Sequence, residues 1–327
     1  MRQTGAHVAY YRILQAMAKR STNSVRRFGG FSRWLLFQFA RLFIVFLEAL
    51  PINVSVRLGR IVGFCAWGIL NKRRAVVRKN LDQIRNWIES ADAGTDFSAD
   101  TGRAVREVFI RSGANLLGGF AFNRMTPEAI HPHLQVEGVE HLRSALEGSR
   151  GAIILLAHMG PWEALAQLPE IARGHGIHAP FGALYRPLNN DYLDDWYKAR
   201  REARGTRLFS RRDGFHKPVD FLRAGGMLGI LADQKMRQGE RVPFFGKESA
   251  TMPIPGLFQR RSGAPVLAVS LSTISACRWR LRIRTVDISS LEGDSDRAAA
   301  ATLCNDALER SLCDSLTDGF WFQDRFS

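Results

Sequence analysis

The chain reads as an α/β protein with a mostly parallel, mixed central sheet covered by helices, preceded by a membrane-associating helical region. Three observations lead there. From Leu134 onward, short apolar runs alternate with helical stretches. The runs are continuously apolar, as in strands covered on both faces. Upstream, residues 32–50, SRWLLFQFARLFIVFLEAL, form the most lipophilic segment of the chain.

Composition supports a large folded unit with an anionic partner. Of 327 residues, 46% are hydrophobic, enough for a sizeable core. The net charge is +15 and the pI about 10.5, so nucleic acid, anionic lipid and an acidic protein all qualify as partners. Cys65, Cys277, Cys304 and Cys313 form no CxxC pair and no Cys/His cluster at metal-ligand spacing, which fits a reduced, cytosol-facing protein. Cys304 and Cys313 read as ordinary positions on a C-terminal helix. The first thirty residues lack the apolar core and cleavage site of a signal peptide.

The elements follow in order. At about 100° per residue, Arg33, Gln38, Arg41 and Glu48 share an arc of roughly 140°, and the remaining circumference of their helix is apolar. A spanning helix wants about 20 apolar residues with few charges, so this one reads as lying in a membrane plane; the alternative is a core helix of a soluble bundle. A second helix is expected from 54 to 70. It runs into NKRRAVVRKN (71–80), where Lys72, Arg73, Arg74, Arg78 and Lys79 each contribute about 1 kcal/mol against an anionic leaflet, or else form a solvated face. Residues 90–101 read as a loop and 103–122 as a helix. Strands are expected at 134–138, 152–157, 180–185, 227–232 and 264–271, with helices at 139–147, 161–173, 190–204, 215–224 and 254–262. In CRWRLRIRTV (277–286) four arginines alternate with apolar residues, the pattern of an edge or half-exposed strand. This divides the chain into membrane-associating helices (1–90), a helical connector (91–133) and an α/β core (134–327).

Chemistry concentrates in GAIILLAHMGPWEALAQL (151–168). His158 sits just past a buried strand, where open α/β sheets hold ligands. Gly160 and Pro161 suit a helix entry, which puts Glu163 in the first turn. On one ideal helix a five-residue offset separates two side chains by about 140°, so they cannot meet. With His158 in the turn, the carboxylate can reach one imidazole nitrogen and leave the other to take a proton. No GxSxG elbow is present, so the activated nucleophile is a substrate hydroxyl. The competing reading makes Glu163 a capping-box residue and His158 a satisfied turn residue.

HMGPWE resembles the H-x4-D/E motif of glycerolipid and lipid A acyltransferases, and its Gly and Trp positions resemble the bacterial lipid A biosynthesis acyltransferase family. The flanking blocks agree in order across nearly the whole chain: VEGVEHLRSAL (136–146), LYRPLNNDYLDDW (184–196) and LGILADQKMRQGERVPFFGKESATMPIPGLFQRRSGAPVLAV (228–269). Pro161, the glycines of LLGGF and the C-terminal Gln323-Asp324 depart from the pattern.

The resemblance implies transfer of a fatty acyl chain from an acyl carrier protein thioester to a hydroxyl of a membrane glycolipid, a lipid A precursor first, at the cytoplasmic face of the inner membrane. His158 would be the general base and Glu163 its orienter. Arg186 would bind a phosphate or the developing oxyanion, unless it forms an ion pair with Asp191, Asp194 or Asp195. By family position Asp233 and Gln234 line the site or brace its loops, and Arg237 and Arg241 follow them; residues 251–255 contact the acyl chain or carrier arm, or simply enter a helix. No metal or cofactor is called for. Basic residues such as Arg200, Arg201, Arg204, Arg207, Arg211 and Arg212 would meet the acidic carrier, the lipid phosphates or the leaflet. Two other readings remain: acylation of another glycolipid or a lysophospholipid, from acyl-CoA, and a non-catalytic basic membrane-surface protein. Nucleic acid is not expected, because no DNA- or RNA-binding module is recognisable.

Overall fold

The computed structural model describes residues 30–91, 100–148, 150–210, 214–236, 238–291 and 296–327. Arg211, Arg212 and Arg237 lie outside the described residues. Helices α1 (Phe31–Ala49), α2 (Ile52–Ile69), α3 (Asn71–Ala91) and α4 (Thr101–Phe122) precede the sheet. Pro51 separates α1 from α2, and the Asp100 side chain accepts from Arg103 N at 3.0 Å to start α4.

The α/β part runs β1 (Leu134–Glu137), α5 (Val139–Glu147), β2 (Ala152–Leu156), α6 (Leu168–Gly174), β3 (Phe181–Tyr185), α7 (Asp191–Glu202) and β4 (Thr206–Ser210). It continues with α8 (His216–Arg223), β5 (Met227–Leu231), β6 (Glu240–Phe244), β7 (Lys247–Thr251), α9 (Ile254–Ser262), β8 (Val266–Ser275), β9 (Arg278–Thr285) and α10 (Arg297–Leu312). Seven strands form one sheet in the order β1-β9-β8-β2-β5-β3-β4, and every neighbouring pair is parallel except β8–β9. The expected mixed, mostly parallel sheet is therefore present. The exception follows from the chain: a two-residue turn with Cys277 at φ 59° joins β8 directly to β9, which permits only antiparallel pairing.

Helices cover both faces. In β2, Ile153 and Leu155 point to one core, with α3, α4 and α10; Ala152, Ile154 and Leu156 point to the other, with α5 and α6. Both faces bury apolar side chains at about 1.5–3 kcal/mol each, so continuous apolar runs are what this sheet requires. The helices before the sheet share its first core through Val77, Leu81, Ile84, Val105 and Val108.

Strand β4 and the hairpin β6–β7 are additional to the strands expected from the pattern. TRLFS opens on a polar pair, and ERVPFFGKESAT alternates polar with apolar around a proline, so neither shows a continuous apolar run. The arginine strand β9 is half-exposed as expected but is not an edge, since it lies between β1 and β8. Three of its four arginines are paired: Arg280 and Arg282 with Glu137 at 2.9 and 2.8 Å, Arg282 and Arg284 with Asp314 at 2.8 and 2.6 Å. The helix expected over 161–173 is a 3-10 turn, Trp162–Gln167, continued by α6.

Helices α1 and α2 are built inside out. On α1, Phe31, Leu36, Phe39, Leu42, Phe43 and Phe46 are exposed, whereas Glu48 is buried with Phe37 and Leu47. On α2, Ile61, Val62, Phe64 and Ile69 are exposed. Among the described residues α2 is the helix long and apolar enough to cross a membrane, with 22% of that stretch buried. It packs on α4 backbone to backbone: a Cβ on Gly59 would lie 2.3 Å from Gly113 O, and one on Gly63 would lie 2.2 Å from Phe109 O. Glycines four apart give one smooth stripe for this approach. Gly63→Ala is expected to push α2 off α4 and lower stability by about 1–3 kcal/mol, measured as a drop in thermal midpoint of the detergent-solubilised protein.

Candidate active site

Two neighbouring parallel strands deliver the central pair. Leu156 of β2 lies opposite Leu231 of β5. His158 and Asp233 each follow two residues later, so both leave the sheet at the same level. Their side chains meet, with His158 Nδ1 2.6 Å from Asp233 Oδ1. The contact is partly shielded, the side chains being 20% and 10% exposed. With Nδ1 occupied by the carboxylate, Nε2 is the nitrogen left to exchange a proton with a substrate.

The turn after His158 is fixed by backbone. Gly160 has φ 59°, and a Cβ there would sit 2.1 Å from Leu271 O, so the close approach to β8 requires glycine. The chain's last segment straps this turn: Met159 bridges Gly319, Gly160 N donates to Asp318 O at 3.0 Å, and Phe320 N donates to His158 O at 2.8 Å. Phe320 and Trp162 then stand beside the imidazole, at centroid distances of 6.4 and 5.8 Å. Asp318 anchors the strap. Its buried carboxylate accepts from Arg111 (3.2 Å), Asn115 (2.8 Å), Thr273 N (2.8 Å), and the hydroxyls of Thr273 and Ser315 (both 2.6 Å).

Glu163 does not hydrogen-bond His158, which corrects the pairing expected from HMGPWE. The 3-10 winding beyond Gly160 turns its carboxylate toward α7. There Oε2 accepts from Arg201 Nη2 at 2.8 Å and from the Tyr197 hydroxyl. Gly119 of LLGGF makes room for it, since a Cβ at that position would approach Glu163 Cβ to 3.1 Å. The Glu163 charge is still felt at the imidazole. Burial alone would lower the His158 pKa, but Asp233, with a smaller contribution from Glu163, more than offsets it, and the pKa lies above the ordinary 6.5. Burial and the Glu163 charge together push the Tyr197 phenol well up, so it is a donor to the carboxylate at any physiological pH. Burial disfavours the Arg201 charge, but Glu163 and Tyr197 outweigh it and hold that guanidinium protonated.

The remaining candidates are spread around this centre. Gln234 accepts from Gln323 Nε2 at 3.1 Å, so it braces the C-terminal strap. Arg186 follows β3 and is exposed; among the described residues no ion pair joins it to Asp191, Asp194 or Asp195. Thr251 is fully buried and bonded to Asn305 and Arg325, an interior role and not a substrate contact. Arg241 is exposed, 3.8 Å from Glu248. Arg325, absent from the sequence-based candidates, is buried in the cleft lined by Asp233, Gln234 and Phe320. Burial lowers its pKa to about 10, with the Asp233 and Glu309 charges opposing. The sequence marks His158 and Asp233 alike as strand ends, LLAH (155–158) and ILAD (230–233), but only the pairing of β2 with β5 makes them partners. Nothing comparable marks Tyr197 or Arg201.

The His158–Asp233 pair thus stands at the C-terminal ends of adjacent parallel strands, where open α/β enzymes place their sites. Residues 23–327 match the sequence pattern of the bacterial lipid A biosynthesis acyltransferases, and the chain belongs to that family. It is similar to the lipid A biosynthesis palmitoleoyltransferase of Escherichia coli (strain K12), 26% identical over 281 residues, covering 85% of this chain and 86% of the relative. The lipid A biosynthesis acyltransferase of Shigella flexneri matches over the same spans, also at 26% identity. The protein is thus an acyltransferase, and its family implies a lipid acceptor.

The geometry makes a spectroscopic prediction. Asp233→Asn removes the main influence raising the His158 pKa, so the imidazole should titrate at lower pH than in the wild type, followed by NMR of the ring protons. An unchanged titration would contradict the assigned partner.

Proposed function

We propose that this enzyme transfers a fatty acyl chain from an acyl carrier protein thioester to a hydroxyl of a lipid A precursor, at the cytoplasmic face of the inner membrane. The observation that carries the reading is the His158–Asp233 pair, its second imidazole nitrogen unclaimed among the described residues, in a fold whose first two helices expose apolar side chains. The family and the palmitoleoyltransferase relative support a fatty acyl donor and a lipid A acceptor. The charge of +15 supports both an acidic carrier and an anionic lipid surface.

In this mechanism the acceptor hydroxyl gives its proton to His158 Nε2 as its oxygen attacks the thioester carbonyl. Asp233 keeps the ring in the Nδ1–H tautomer and stabilises the imidazolium that forms. The carbonyl oxygen becomes an oxyanion, for which Arg186, exposed at the end of β3, is the available guanidinium; a lipid phosphate is its other ligand. Collapse of the intermediate breaks the carbon–sulfur bond, and the imidazolium returns the proton to the departing thiolate. Glu163 acts from outside hydrogen-bond contact, its negative charge favouring the imidazolium. Gln234 and Arg237 complete the set that binds substrate or its enclosing loops. Because the base works as neutral imidazole, activity should fall as pH drops through the raised His158 pKa.

The test is acyl transfer by purified protein from labelled acyl carrier protein or acyl-CoA to a panel of lipid acceptors. His158→Ala should lower turnover by roughly 10²–10⁴-fold with thermal midpoint and vesicle binding unchanged. Transfer at the wild-type rate would reject His158 as the base, and preference for CoA or for a lysophospholipid would reject the donor or the acceptor.

A further inference from the structure

Helix α7 touches two things at once. At Asn190, just before it, the side chain caps the helix and donates to Arg33 O of α1 at 2.9 Å. Tyr192 and Trp196, one turn apart, lie against Phe37 of α1 at centroid distances of 5.9 and 6.5 Å. One turn further, Arg200 reaches the buried Glu48 at 2.5 Å and lies over Trp196. Glu48 has a second partner in Asn123, at the end of α4, 3.3 Å away. These residues form one stripe at four-residue spacing. The adjacent stripe, about 100° round the helix, holds Tyr197 and Arg201, the two partners of Glu163. Arg201 also lies 4.5 Å from the Tyr197 ring centroid, so the two brace one another.

A buried acid on a helix with an apolar exterior is costly unless paired. Glu48 is 1% exposed at its side chain, and its pairing locks α7 to α1 at a defined height. Nothing in the local winding of Trp162–Gln167 would hold the Glu163 carboxylate; the two donors from α7 do so. The position of the acid is consequently set from α1.

We propose that Tyr197 and Arg201 are positioning residues for Glu163, and that the Glu48–Arg200 pair docks their helix on α1, so that the membrane-facing helix is part of the site's framework. This rests on the reading above in which Glu163 assists His158. The docking ties the seating of α1 to the electrostatics around the imidazole, and a displaced α7 would leave Glu163 without its donors. Misplacement of a catalytic constellation by about 1 Å costs on the order of 10² in rate.

The experiment uses the full chain with labelled acyl carrier protein and a lipid A precursor in phosphatidylglycerol vesicles. Arg201→Met should lower kcat on the order of 10²-fold with acceptor KM unchanged, and Arg201→Lys should recover part of it. Arg201→Met combined with Glu163→Gln should be no slower than Glu163→Gln alone, because both act through one carboxylate. Arg200→Met should lower kcat on the order of tenfold while vesicle sedimentation stays at the wild-type level. Should Arg201→Met not fold, Tyr197→Phe, which removes one oxygen, carries the same test at about tenfold. Wild-type kcat in the Arg201 or Tyr197 variant, losses that multiply in the double variant, or an Arg200 variant that loses vesicle binding in step with activity would each overturn the proposal. If Glu163→Gln is fully active while His158→Ala is inactive, the proposal falls and the general-base reading stands. If His158→Ala is active too, both fall.

Discussion

The site depends on a register. Because β2 and β5 pair in parallel with Leu156 opposite Leu231, any two residues at equal distance beyond them emerge side by side. His158 and Asp233 occupy that level. Slipping the pair by one residue would send the two side chains to opposite faces of the sheet. The buried faces forbid such a slip, since Ile153, Leu155, Leu228 and Ile230 would leave one core for the other. Packing of the sheet interior thus fixes the distance between two polar groups outside it.

The rest of the molecule keeps that pair in place and partly dry. The C-terminal strap contributes backbone partners at His158 and Gly160, on both sides of Met159, and Asp318 ties the strap to α4 and β8 through four hydrogen bonds. A buried carboxylate with so many donors is satisfied electrostatically, so it holds three chain segments together. Gln323, Arg325 and Asp324 extend the same strap to Gln234, Asn305 and Lys79. The basic helix α3 is accordingly not only a solvated face: Lys79 and Arg73 contact the strap, while other cations of the cluster stay exposed.

The N-terminal helices depart from the pattern expected in water. In water an amphipathic helix turns its apolar stripe to the core; α1 and α2 turn theirs outward and place Glu48 inside. Such inversion is stable where the exterior is itself apolar. There the hydrophobic effect no longer drives helix to helix, and close backbone contact takes over. The glycine stripe of α2 against Gly113 and Phe109 of α4 fits that regime.

Much of this was legible in one dimension. Continuous apolar runs gave the β2, β5 and β8 strands because a doubly covered sheet tolerates nothing else there, and HMGPWE marked the loop that carries His158. The lipophilic character of residues 32–50 followed from composition, although the burial of Glu48 did not. What the sequence by itself determined were local properties: which segments are strands or helices, which face is apolar, and that His158 stands at a strand end. What only the tertiary structure decided was partnership. Glu163 is five residues from His158 yet bonds to α7, and Asp233 is seventy-five residues away yet bonds to the imidazole. The reason is physical: a turn with one left-handed glycine and a 3-10 winding can aim a side chain in several directions, and the choice falls to whichever strand or helix arrives beside it with a complementary charge.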